Sequence, residues 1–163
     1  MSNVGDMQRA LAGTTGLDRG GEDAVFQLFD LVVPYTKTAA DGMASTTTSN
    51  TKFWTNPFDF TLRIVGAKWS TTGAGLTADA SHYATVSFLT DDAAAGSPAA
   101  AASLATTVAG SGSFTAEIAK AMTLTAANCN LVAGGHLYFA IAKTGNGVIV
   151  PVSQFALRLR RAG

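Results

Sequence analysis

Phe58-Asp59-Phe60-Thr61-Leu62-Arg63-Ile64-Val65-Gly66-Ala67-Lys68-Trp69 is the stretch that decides the fold. Phe58, Phe60, Leu62 and Ile64 alternate with Asp59, Thr61 and Arg63, which is the period of a strand with one buried face. At Gly66 the alternation breaks, and Ala67 and Trp69 resume it in the opposite register. One extra residue in a β-strand does this, so a β-bulge is expected at Gly66.

The same period recurs on both sides. Upstream, Phe26, Leu28 and Leu31 to Val33 form an apolar strand that Pro34 should curtail. Thr36 to Thr51 reads as a polar loop, with a short strand at Lys52 to Thr55. Downstream, His82 to Thr90 is a strand with Ala84, Val86 and Phe88 on one face. Asp91 to Ala102 is Ala-rich but holds Gly96 and Pro98, so it reads as a long loop, with a small helix as the alternative. A short strand over Leu104 to Val108 follows. Phe114 to Leu124 mixes periods, with Ile118, Ala121 and Met122 at helical spacing and Thr115, Thr123 and Thr125 favouring strand, and a strand is the preferred reading. Leu131 and Val132 lead into a Gly134-Gly135 turn. His136 to Lys143 carries Leu137, Phe139 and Ile141 on one face. Thr144-Gly145-Asn146-Gly147 has the chemistry of a tight hairpin turn. Phe155, Leu157 and Leu159 alternate to the end of the chain. About eight short strands with Gly-rich turns and no long helix predict an all-β chain. The expected architecture is a β-sandwich of jelly-roll or Greek-key type.

Residues 1–24 stand apart. Gly5, Gly13, Gly16, Gly20 and Gly21 break any periodic pattern, which predicts an extended N-terminal arm before a sandwich domain over 25–163. An arm without a core of its own is either disordered or ordered by lying on another subunit, and the second is the favoured expectation.

Charge is sparse and balanced. Lys plus Arg is 11, Asp plus Glu is 11, and charged residues make up 13% of the 163, against about 25% in average soluble domains. A neutral Ala/Thr/Ser/Gly surface suits a subunit covered by neighbours, since the cores of protein interfaces are depleted in charge. A net charge of zero argues against general nucleic-acid binding, which needs a clustered positive field. Arg158, Arg160 and Arg161 are the one basic cluster, read as a solvated strand end or, second, as a salt-bridging partner contact. Without a run of about 18 apolar residues no membrane helix is expected. The start of the chain lacks the pattern of a secretory signal, which predicts synthesis in a reducing cytoplasm.

No convergent chemistry emerges. Cys129 is the single cysteine, so it has no partner for an intrachain disulfide and reads as a small buried thiol. His82 and His136 each open a strand, with no second ligand at metal-binding spacing. Asp91-Asp92 reads as a turn cap, and Asp59 and Glu117 are isolated. Gly110-Ser111-Gly112-Ser113 matches a nucleophile elbow in composition only. The expectations are therefore no catalytic, cofactor-binding or metal-binding residue, no cofactor and no enzymatic activity. Phe53, Trp54, Phe58, Phe60 and Trp69 crowd one region and read as core, with a sugar platform or partner anchor as alternatives. The candidate partner contacts are Met7, Arg9, Leu11, Leu17 and Arg19 in the arm, Trp54, and Arg158 and Arg160.

Three places carry a resemblance. They are Ser81-His82-Tyr83-Ala84-Thr85-Val86-Ser87; Gly134-Gly135-His136-Leu137-Tyr138-Phe139; and Gly145-Asn146-Gly147-Val148 followed by Pro151. In these the second half of the chain resembles the jelly-roll decoration, or cement, proteins of tailed-bacteriophage capsids. The resemblance implies a virion protein on the capsid surface, made in the host cytoplasm. It would be a homotrimer seated on the major capsid protein, without catalytic residues. The alternatives are another virion component of the same fold, such as a head fibre base or tail protein, and a carbohydrate-binding module.

Overall fold

The computed structural model describes residues 31–37, 49–91, 96–145 and 148–162. The arm (1–24) and the Phe26 and Leu28 part of the first expected strand lie outside them. The described residues form ten strands: β1 (Leu31–Lys37), β2 (Ser49–Thr55), β3 (Leu62–Thr71), β4 (Tyr83–Asp91), β5 (Ala99–Ala105), β6 (Lys120–Ala121), β7 (Thr123–Leu124), β8 (Asn130–Leu131), β9 (His136–Thr144) and β10 (Ser153–Arg161).

Two antiparallel sheets make a sandwich. The first runs β1-β10-β3-β6, with β8 also on β3, and the second runs β2-β9-β4-β5-β7. The pairings nest: β1 with β10, β2 with β9, β3 with β6 and β8, β4 with β5. A long hairpin wound around a barrel-like core gives this order, which is that of a jelly roll.

The inward positions are those the alternation marks. Leu62 and Ile64, then Ala67, Trp69 and Thr71, are buried along β3, and the ladder to β10 shifts between Arg158 and Leu159, opposite Gly66 and Ile64. The bulge expected at Gly66 is therefore present, and it keeps both halves of β3 facing the core. Phe88 joins the two sheets at the centre. It is fully buried, with Phe53, Phe139 and Phe155 rings 5.7, 5.7 and 5.4 Å away. Trp69 stacks on Phe155 at 5.6 Å and leans on Phe114 at 4.3 Å. Rings at these separations add pair energy beyond the area they bury.

Several local expectations are corrected. Pro34 does not end its strand; β1 runs through it, paired to Ala156. An edge strand has one bare side, where the missing N–H costs no ladder bond. Strand β2 begins at Ser49, inside the expected loop, and Phe58 and Phe60 precede β3. Of the Ala-rich run, Ala99–Ala102 belong to strand β5 and not to a loop or helix, residues 96–98 are irregular as expected, and 92–95 lie outside the described residues; β5 ends before the expected Leu104–Val108 segment does. Ala101 and Ala102 are completely buried, and pairing with β4 and β7 overrides the high helix propensity of alanine. Phe114 to Leu124 is not one strand. Lys120–Ala121 joins the first sheet and Thr123–Leu124 the second, and buried Met122 donates its N–H to Ala67 O at 2.9 Å at the crossover. Thr144 to Gly147 closes no hairpin either, since β9 and β10 belong to different sheets. The β9–β10 connection passes from one layer to the other.

Candidate interaction surface

Of the expected partner contacts, Met7, Arg9, Leu11, Leu17 and Arg19 lie outside the described residues. Trp54 is half-buried and packs against the core from β2. Trp69 is completely buried and offers no sugar platform. Arg158 and Arg160 are exposed on the outward positions of β10.

The ladder registers lay out the outer face of the first sheet. Val32, Arg158 and Gly66 form one row; Pro34, Ala156, Lys68 and Ala121 the next; Arg160, Arg63 and Asn130 a third. Arg63, Lys68, Arg158 and Arg160 are exposed there beside exposed Val32 and Val65. No Asp or Glu occurs on β1, β3 or β10. The face is thus cationic over apolar, a composition suited to an anionic partner that also brings apolar groups.

At the β3-start end this face runs into an aromatic pair. Phe58, 40% exposed, stacks on Phe60 with centroids 5.1 Å apart and planes 18° apart, and the Arg161 guanidinium lies 4.8 Å from the Phe60 ring centre. Exposed Asp59 sits between the two phenylalanines in sequence.

Asn56 holds this corner. Its buried Nδ2 donates to Phe60 O at 2.9 Å, Val132 O at 2.9 Å and Leu131 O at 3.2 Å, and its Oδ1 accepts the Phe58 N–H at 3.1 Å. Its backbone N–H donates to Gly135 O and its carbonyl accepts from Gly134 N. Residue-type reasoning passed over Asn56, although Asn56-Pro57 is a turn dipeptide and so carried a signal. The close approach needs glycine at 135: a Cβ there would stand 2.8 Å from Asp91 O.

The opposite end of the sandwich differs. Strands β3, β5 and β9 all end there, and the loops that follow them expose Ile118 and Val108, both after β5, and Ile149 after β9, at 57%, 68% and 47%. In the β3–β4 loop, Asp79 Oδ1 accepts the backbone N–H groups of Ser81 at 2.6 Å and His82 at 2.7 Å, with His82 Nδ1 3.6 Å away. Those two backbone bonds first, and the His82 charge after them, hold the Asp79 carboxyl below the usual carboxylate range. His82 therefore serves a turn.

The remaining polar groups tie elements together. Asp91 accepts the His136 backbone N–H at 3.3 Å and the Tyr138 hydroxyl at 3.0 Å. Lys52 Nζ approaches His136 Nε2 at 3.3 Å, and His136 Nδ1 lies 2.9 Å from Thr55 Oγ1. An ammonium can only donate, so Nε2 accepts and Nδ1–H donates to the hydroxyl. Burial, then the Asp91 bond and charge, push the Tyr138 phenol up. A groove of about 230 Å³ beside this network is lined by Thr90, Asp91, Ser97, Asn128, Asn130 and Val132. Its polar atoms brace the sheet: Thr90 Oγ1 donates to Asn128 O at 2.6 Å and Asn128 Nδ2 to Ala100 O at 2.9 Å. Cys129 is buried, its thiol 3.3 Å from Thr125 O, and burial raises its pKa. Among the described residues no three His, Cys, Asp or Glu side chains gather where they could hold a metal ion.

No protein-family model, curated protein or solved structure matches the chain.

Proposed function

We propose that the chain is a structural virion protein that binds the outside of a phage capsid and stabilises the coat-protein lattice, acting as a homotrimer and not as an enzyme. The observation that carries this reading is one end of the jelly-roll sandwich, whose loops present Val108, Ile118 and Ile149. Exposed apolar side chains on a small, sparsely charged sandwich favour seating against other protein surfaces. A protein that binds only the assembled shell stabilises it by mass action, and three copies on one axis multiply weak contacts.

The test is co-sedimentation of the purified protein with expanded capsids of its phage. Wild-type protein is expected to pellet with shells and raise their disruption temperature. The triple variant Val108→Asp, Ile118→Asp, Ile149→Asp should keep its circular dichroism spectrum and lose at least ten-fold in shell binding. Equal binding by folded wild-type protein and variant removes the loop end from the proposal. No binding by wild-type protein to shells, in any expansion state, removes the capsid role.

A further inference from the structure

The charges of this chain are divided unevenly along its length. Residues 1–30 carry Asp6, Asp18, Glu22, Asp23 and Asp30 against Arg9 and Arg19. The described residues hold nine of the eleven basic side chains but only four of the eleven acidic ones, Asp59, Asp79, Asp91 and Glu117. None of those four is on β1, β3 or β10, the three strands whose outward positions bear Arg63, Lys68, Arg158 and Arg160. Residues 1–30 thus carry a net charge of −3 and the described residues one of +5, with Asp41 and Asp92 making up the balance.

The attachment point brings them together. The described chain begins at Leu31, the first residue of edge strand β1, directly across from Leu159 and one residue from the Arg158 and Arg160 positions of the register. Strand β10 has nine residues, so the face is about 30 Å long at ~3.3 Å per residue. Thirty residues could extend to about 100 Å, enough to cross it. A segment tethered at the edge of a surface meets it at an effective concentration near the millimolar range, above that of any untethered competitor in dilute solution.

We infer that residues 1–30 of the chain dock on the outer face of its own β1-β10-β3 sheet. The acidic side chains match the guanidinium and ammonium groups of Arg158, Arg160, Arg63 and Lys68, and apolar residues such as Leu11, Val25 and Phe26 meet Val32, Val65 and Ala156. This inference goes beyond the capsid reading and does not depend on it. Most of these charges are exposed, so the contact is salt-sensitive and is governed by the sum of several weak pairs.

The experiment uses the full-length chain with the photoreactive amino acid p-benzoylphenylalanine in place of Ala156, an outward position in the middle of β10. On irradiation at low salt, the cross-link is expected within a single chain, to residues 1–30, and its yield should fall at least five-fold in 1 M sodium chloride. Replacing Asp18, Glu22 and Asp23 by Lys leaves every described residue unchanged and should lower the yield as far. Adding Arg158→Glu and Arg160→Glu to that variant should restore it. Cross-links confined to the sandwich, to residues 1–30 of a second copy or to another protein would overturn the inference. So would a yield indifferent to charge reversal.

Discussion

Replacing Asn56 by Asp changes one atom in a buried corner and tests the geometry there more sharply than a truncation. Asn56 is 2% exposed and donates to three carbonyl oxygens, of Phe60, Leu131 and Val132. A protonated aspartic acid keeps one donor where the amide had two, so the loss at low pH is about 1–3 kcal/mol, the cost of leaving a buried acceptor unmatched. An ionised carboxylate has no donor and faces three carbonyl dipoles in a dry site, so the folded-state pKa must rise above the unfolded value of about 3.9. A raised carboxyl pKa makes the sign definite. The extra penalty is absent below the unfolded pKa and grows by about 1.4 kcal/mol per pH unit until the folded pKa is passed. A rise of about two units adds close to 3 kcal/mol, giving about 4–6 kcal/mol at pH 7, a large part of a typical domain's 5–15 kcal/mol. Urea unfolding followed by tryptophan fluorescence, at pH 4 and pH 7 with wild-type protein alongside, measures both values. A deficit under 1 kcal/mol at pH 7, or one that does not widen between pH 4 and pH 7, refutes the hydrogen bonding assigned to Asn56.

Other outcomes follow from the packing and the titrating groups. Phe88→Ala should lower stability by about 3–5 kcal/mol in the same assay, because the ring bridges both sheets. Ala102→Leu should cost about 1–3 kcal/mol by overfilling a completely buried strand position. Tyr138 should ionise above the ordinary tyrosine range in an ultraviolet titration, and Asp91→Asn should bring it down. With its folded pKa raised, the contribution of Tyr138 is complete below the unfolded value and is lost as pH climbs through the folded one. Asp79 should titrate below the usual carboxylate range by carboxyl-carbon NMR, and its contribution, present above the unfolded pKa, fades as pH drops through the folded value. Cys129 should react with a disulfide reagent at pH 8 many-fold more slowly in native than in urea-unfolded protein, its thiol being buried and its pKa raised.

Where one face of a strand meets the core and the other meets solvent, residue order alone carries the information. The inward sets of β3, β4, β9 and β10 and the bulge at Gly66 are legible for that reason. Where both neighbours and both faces matter, order is a poor guide. The alanines of β5 look helical or loop-like until β4 and β7 flank them, and Pro34 looks terminal until β1 is known to be an edge. Segment 114–124 gave mixed periods because it serves two sheets in succession. The surface was less legible still. Arg158 and Arg160 could be marked as outward by alternation, but Arg63, Lys68, Val32 and Val65 share their face only through the β1-β10-β3 register. The corner at Asn56 depends on backbone carbonyls of nearby Phe60 and of the distant segment 131–135, which no side-chain pattern announces.

The nested pairing also dictates an order of events during synthesis. Strand β10 fills a central place between β1 and β3, yet it follows both of them, and every other described strand, in the chain. Until it leaves the ribosome, β1 lacks its ladder partner and the edge of β3 that β10 will take stays unpaired. Closure of this sandwich joins residues more than 110 apart, the kind of long-range contact that folds slowly. A nascent chain stalled anywhere before Ser153 would present its apolar layer to the chaperone machinery of the cell in which it is made.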